Sequence, residues 1–536
     1  MTFQNPLTAP QLPPPHERNL GAVMARALKD HPDKLAVRDP ERALSYRALN
    51  EEALRLAGGF AALGVARQDR VLVMLDNHLD FVACWIGLGL AARVEVPVNT
   101  AYLGAILTHV VNNCGAKVMV AEGHYLDRIA AVADQLTTLE TIVVRGPAPR
   151  VDLPARIALR PYSELAGAPA APEKIDPWDL VGIMFTSGTT GLSKGVRVTH
   201  AHAYGYATPA VYGACSHDDV VHVSLPLFHI GGQWAGVYNA LIAGASAVVT
   251  PRFAATKFWD EVREYGCTYT LLLGVMAEFL YRQPPDARDA DQPMRRCVMV
   301  PVIPALDDFK KRFGMHTVST AYGSTEASAV ILSPVGGAEP GKVGWLRPDF
   351  EARLVDDHDM DVPQGTAGEL IVRAREPWLI MDGYHDMPQA TVDAWRNLWF
   401  HTGDQMVQDA RGMYTFVDRV KDAIRRRGEN VSSFEVEREI GAHPAVRECA
   451  VVAVRSDATE DDIKACIVLD TGARLTGEEL VAFLKPRLPY FMIPRYVQFL
   501  PELPKTPTEK IRKQPLRDLA VTSETWDAAK AGVSLR

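Results

Sequence analysis

At 536 residues the chain exceeds what one hydrophobic core supports, and its 47% hydrophobic and 23% charged residues are those of an ordinary globular protein, which excludes an intrinsically disordered chain. A net charge of −8 offers no global attraction to nucleic acid or an anionic membrane, so any anionic ligand must be recognised by a local site. The seven cysteines are far apart, without a Cys-x-x-Cys pair or metal-ligand spacing, and are expected as buried free thiols in a reducing cytoplasm.

Met1 to Pro6 has no basic region followed by an apolar core, so no secretory signal is expected. Strands are predicted at 70–75, 94–98 and 117–121, with a helix at 81–90. This alternation predicts an α/β fold with parallel sheets. The apolar stretch 81–92 is interrupted by glycine, ended by Arg93 and too short for an integral membrane segment. Within it, Gly87-Leu88-Gly89-Leu90-Ala91-Ala92 superficially matches a dinucleotide fingerprint. That fingerprint works in a turn between strand and helix, whereas this one lies inside the helical stretch, so small-residue packing is the expected role. A short strand at 141–144 leads into a Pro- and Ala-rich passage ending near Pro172, read as a connection within the large domain.

The apolar run 180–184 is followed by Phe185-Thr186-Ser187-Gly188-Thr189-Thr190-Gly191-Leu192-Ser193-Lys194-Gly195-Val196. Glycines let the backbone approach an anion, free N–H groups and hydroxyls donate hydrogen bonds, and Lys194 supplies positive charge. A surface turn has similar composition, but the buried-strand lead-in and the placed lysine favour a phosphate loop. A Walker-type kinase or ATPase needs Gly-Lys-Ser/Thr, and this chain has Ser193-Lys194-Gly195, so the hydroxyl that would hold magnesium there is missing.

Further motifs follow in order: Pro226-Leu227-Phe228-His229, Tyr322-Gly323-Ser324-Thr325-Glu326, Thr402-Gly403-Asp404, Asp418-Arg419-Val420-Lys421-Asp422, Arg427-Gly428-Glu429-Asn430 and Pro504-Lys505-Thr506-Pro507-Thr508-Glu509-Lys510. Together with the loop they span nearly the whole chain. The chain thereby resembles the adenylate-forming superfamily of acyl-CoA synthetases, luciferases and peptide-synthetase adenylation domains. The segment from Arg419 to Lys510 looks most like ligases of the crotonobetaine and carnitine type.

The resemblance implies a large N-terminal domain of parallel-sheet α/β subdomains (1–419) and a small, mobile C-terminal α/β domain (420–536), with the hinge at 418–421. In the small domain, strands are read at 449–454 and 465–469 and a helix at 477–484. It implies that Thr186, Ser187, Gly188, Thr189, Thr190, Gly191 and Lys194 hold the β- and γ-phosphates of ATP, and that Glu326 holds Mg2+. Tyr322 and Gly323 lie at the adenine, Thr325 bonds the α-phosphate, and Asp404 accepts from the ribose with Arg419 beside it. Taken alone, Asp404 reads as an ordinary turn carboxylate. His229 resembles the histidine at the acyl pocket, with a core histidine as the rival reading, and Gln233, Trp234 and 273–275 are placed along the same pocket.

Lys510 resembles the C-terminal lysine that reaches the acid and the α-phosphate, and Gly428 the glycine lining the thiol tunnel. Three positions depart from the pattern: Glu509 and Arg427 stand where glycine is usual, and 299–304 is bulkier than the Gly- and Ala-rich turn of relatives. The cluster Arg425-Arg426-Arg427 reads either as a site for coenzyme A phosphates or as a solvated face. The expected reaction joins a small-molecule carboxylic acid to ATP, giving acyl-AMP and pyrophosphate, and then to coenzyme A. The alternatives are an adenylation enzyme loading a carrier protein and, less favoured, an inactive nucleotide-binding regulator. A cytoplasmic location is expected, without nucleic acid as a partner, and a homodimer is left open.

Overall fold

The computed structural model describes residues 5–186, 193–211, 213, 215–419, 424–426, 429–431, 433–456, 460–504, 511 and 513–535. The seven-residue strand Leu180–Thr186 is the axis on which the site is built. It lies in an eight-stranded sheet ordered Gly383–Tyr384, Lys194–Thr199, Leu180–Thr186, Val94–Pro97, Arg70–Met74, Val118–Glu122, Thr141–Arg145 and Ala158–Pro161. From Leu180–Thr186 to Ala158–Pro161 the pairings are parallel. Val94–Pro97 is buried throughout, as expected of a parallel strand covered on both faces.

A second, seven-stranded sheet runs Thr317–Ser319, Arg296–Val300, Tyr269–Leu273, Val220–Val223, Ser246–Val249, Leu35–Arg38 and Ala43–Ser45, parallel except at its last pair. The predicted helix is found as Leu79–Leu90, buried on every side. A Cβ on Gly87 would sit 2.5 Å from the Ala53 carbonyl oxygen, and one on Gly89 would sit 2.4 Å from Leu20 Cδ1. Helices Leu20–Asp30 and Tyr46–Ala62 therefore pack directly onto the Gly-x-Gly face, which accounts for the fingerprint-like pattern without a nucleotide.

Two features go beyond the sequence reading. The passage taken as a plain connection contains the edge strand Ala158–Pro161 and the turn Tyr162–Leu165. A four-stranded antiparallel sheet, Phe350–Val355, Gly368–Ala374, Phe400–Gln408 and Tyr414–Arg419, stands beside the two parallel-rich sheets. The small C-terminal domain pairs Val446–Arg455 with Asp461–Leu469 antiparallel, then Tyr496–Phe499 parallel to the latter. Its helix Gly477–Leu484 begins at a capping box in which Thr476 and Glu479 satisfy each other's backbone N–H. One apolar cluster joins Ile424, Val436, Ile463 and Leu484 of this part with Met119 and Ile183 of the eight-stranded sheet and Leu107 of the helix Gly104–Cys114. All seven cysteines are free, six of them buried and Cys449 half-buried.

Candidate active site

Thr186 ends its strand opposite Lys194, so both ends of the glycine-rich loop leave the sheet as one antiparallel pair. Ser187 to Gly191 lie outside the described residues, as do Lys421, Gly428 and Lys510, and the side chain of Arg419 is likewise outside them. The far end of the loop is clamped: Ser193 N–H and Oγ donate to Glu435 Oε1 at 2.8 and 2.9 Å, and His109 Nε2 meets the Ser193 carbonyl at 2.8 Å. Glu435 comes from the C-terminal helix Ser433–Gly441, which ties the small domain to the loop.

The hairpin Ala321–Ser324 and Ser328–Leu332 carries the next motif. Ser324 Oγ accepts from Ala327 N–H at 3.0 Å and closes the turn, while a Cβ on Gly323 would meet the Ser328 carbonyl oxygen at 2.2 Å. Serine and glycine at these two places hold Glu326 at the tip, with Thr325 buried beside it. Glu326 Oε1 accepts from Thr186 Oγ1 at 3.0 Å and from Tyr384 Oη at 3.2 Å. The Lys194 ammonium lies over the Tyr384 ring, 4.7 Å from its centroid. Burial and the nearby Glu326 carboxylate push the Tyr384 hydroxyl far above its ordinary pKa, so it remains a donor.

Below the hairpin, Tyr322 Oη donates to Asp404 Oδ2 at 2.5 Å. Asp404 is buried within the strand Phe400–Gln408 and is not a turn carboxylate. A bulge sets its direction: Gly403 has φ +73°, its N–H donates to Glu369 Oε1, and Thr402 Oγ1 accepts from Asp404 N–H at 3.1 Å. Asp404 pairs in register with Arg419 on the neighbouring strand. Contacts therefore run without a break from Thr186 and Lys194 through Tyr384, Glu326 and the hairpin to Tyr322, Asp404 and the Arg419 backbone.

His229 is exposed at the start of Ile230–Gly232, with its Nδ1 accepting from Gly231 N–H, so it is not a core histidine. Pro301 to Pro304 of the bulky segment and Gly274 face Arg455, Ser456, Glu460 and Asp461 of the C-terminal domain across a cleft of about 530 Å3. Within the arginine run, Arg426 fits neither reading: it is buried, paired with Asp462 at 3.0 Å, and donates to the Ile493 carbonyl at 2.6 Å, while Arg427 and the side chain of Arg425 lie outside the described residues. Tyr384 and Glu435 escaped the sequence reading; each is brought in by tertiary structure, from a two-residue strand and from another domain.

The model of the AMP-binding enzyme family matches residues 24–385, and that of the AMP-binding enzyme C-terminal domain matches 435–510. The chain belongs to the AMP-binding enzyme family. It is an enzyme of the AMP-forming acid–thiol ligase class, with the adenylate-forming fold. The crotonobetaine/carnitine–CoA ligase of Salmonella typhimurium is 32% identical over 494 residues, covering 89% of this chain and 93% of that protein. The ATP-bound MatB structure from Rhodopseudomonas palustris is 28% identical with a TM-score of 0.67, covering 94% of this chain and 99% of MatB. The amide bond synthetase McbA from Marinactinospora thermotolerans, 23% identical, shares the fold with a TM-score of 0.80 over 92% of this chain and 99% of its own. No helix among the described residues is long and apolar enough to cross a membrane.

Proposed function

We propose that this enzyme condenses a carboxylic acid with ATP to give acyl-AMP and pyrophosphate, and then transfers the acyl group to coenzyme A with release of AMP. The observation that carries the reading is the unbroken run of contacts from the loop strands through Glu326 to Asp404, since a triphosphate and a ribose must be held together along one line. Acid and ATP are both anions, so the site has to orient them and offset charge. Lys194 and the loop hydroxyls take the β- and γ-phosphates, Thr325 the α-phosphate, and Asp404 with Arg419 the ribose hydroxyls. Tyr322, fixed by its bond to Asp404, offers its ring to the adenine.

Among the described residues no three His, Cys, Asp or Glu side chains converge on a metal position. Mg2+ is commonly held by one or two carboxylates plus substrate phosphates rather than by a protein cage. Glu326, a hard oxygen donor with the Thr186 hydroxyl beside it, is the residue to hold the ion, which when bound offsets phosphate charge. Lys510 stabilises charge developing between acid and α-phosphate. The 420–536 domain then turns about 418–421, away from 1–419, and Gly428 lines the path of the thiol, with His229 at the acyl end.

Mass spectrometry of the products tests this. With ATP and an accepted acid, acyl-AMP is expected to accumulate, and adding coenzyme A should convert it to acyl-CoA. Acyl-AMP that is stable to coenzyme A but consumed by a phosphopantetheinyl carrier protein would favour the carrier-loading reading. ATP binding without any adenylate would favour the regulator.

A further inference from the structure

Gln233 lies four residues beyond His229 and opens the π-helical stretch Gln233–Tyr238. Such turns are rare and occur disproportionately at functional sites. The buried Gln233 amide donates from Nε2 to Glu95 Oε2 at 2.7 Å, while its Oε1 accepts from Trp234 Nε1 at 2.9 Å. The indole fixes which way the amide faces, and the amide fixes the carboxyl. Glu95 is 1% exposed, and its Oε1 has no hydrogen-bond partner among the described residues. Beside the indole, with ring centroids 6.0 Å apart, His202 is buried with both ring nitrogens likewise unpartnered among the described residues. Burial drives His202 down to about 3 and Glu95 up to about 8, so the histidine brings no positive charge to this region.

The position of Glu95 relative to the site follows from the sheet. Glu95 pairs in register with Gly182 on the parallel strand, four residues before Thr186. At about 3.3 Å per residue this is roughly 13 Å below the phosphate end. An acid lying at the acyl end beside His229, with its carboxylate toward the phosphates, would direct its other end toward this level. Buried polar atoms are nearly always satisfied, so an Oε1 held in place through Oε2 yet itself without a partner among the described residues marks a point where a ligand group would be met. At neutral pH the carboxyl holds its proton, and a cation placed beside it draws that proton off.

We propose that Glu95, oriented by Gln233 and Trp234, determines acyl specificity by pairing, as the carboxylate, with a positive charge at the end of the acid remote from its own carboxylate. This rests on the ligase reading above. Trp234 and Gln233 are positioning residues, and Glu95 is the contact.

The test is the ratio of kcat/KM for 6-aminohexanoate to that for heptanoate, which has similar length and no charge at its far end, followed by acyl-CoA formation. The wild-type ratio is expected to exceed one, and Glu95→Gln, which keeps the acceptor for Gln233, should lower it at least about tenfold. Glu95→Met should invert the preference. Melting temperatures separate this from misfolding, since a merely structural Glu95 would change stability and leave the ratio alone. Wild-type preference for heptanoate, or an unchanged ratio in Glu95→Gln, overturns the inference while leaving the ligase reading intact. Absence of acyl-AMP and acyl-CoA with every acid overturns both.

Discussion

The Glu326 carboxylate takes two protein hydroxyls on one oxygen, so its direction is set before substrate arrives. Glu326→Gln should therefore fold normally and lower acid-dependent pyrophosphate release by about 10²–10³-fold, the scale of losing one well-placed electrostatic group. Tyr384→Phe removes one donor to that carboxylate and keeps the ring under Lys194, so a loss in kcat of about 3–10-fold is expected in the same assay. The glycine-rich loop stands out in the sequence by its glycine and hydroxyl spacing, and Glu326 by the motif that carries the family resemblance. Tyr384 was not legible there, since its strand pairs with distant Lys194–Thr199 and its hydroxyl reaches Glu326 across 58 residues. Glu95 left a signal that went unread: a lone charge at a position that a fully buried parallel strand turns inward.

At the scale of elements, the Glu326 hairpin is held by Arg347, which is 1% exposed. Its guanidinium grips Asp349 with two bonds of 3.1 and 2.7 Å and donates to the Ala329 carbonyl at 2.8 Å and the Gly205 carbonyl at 3.3 Å. Arg347→Ala leaves Asp349 buried without its partner and should cost about 3–5 kcal/mol in urea unfolding, with activity falling in step as the hairpin loosens. Gly323→Ala places a methyl against the Ser328 backbone and should cost about 1–3 kcal/mol while lowering turnover more than stability alone predicts. The strands and the 477–484 helix were readable because apolar periodicity and capping are local. The antiparallel sheet and the Thr402–Asp404 bulge were not, because Gly403 reads as a turn until Glu369 of a neighbouring strand engages its N–H.

For the whole molecule, buried titrating groups set how stability varies with pH. His200 and His202 are both lowered by burial to about 3, below the ordinary 6.5. Between those values the unfolded chain binds protons that the folded one refuses, so their contribution is full above 6.5 and is lost as pH falls toward 3. Glu95, raised from 4.5 to about 8, and Glu429, raised to about 7, act the other way. Each contributes fully below about 4.5 and loses that contribution as pH rises through its folded value. Between pH 6.5 and 8 the carboxyls act without the histidines, so the melting temperature should decline across that window, less steeply in Glu95→Gln. The domain pattern and the order of motifs were readable at this scale. The Glu435–Ser193 clamp was not, since it exists only once the small domain docks.

Acid-dependent exchange of labelled pyrophosphate into ATP, run without coenzyme A on the wild type and on Lys510→Ala, tests the central claim most directly. The account predicts exchange that requires the acid, and its loss by several orders of magnitude in Lys510→Ala with ATP still bound. Exchange independent of acid, or equal in the two proteins, would contradict it.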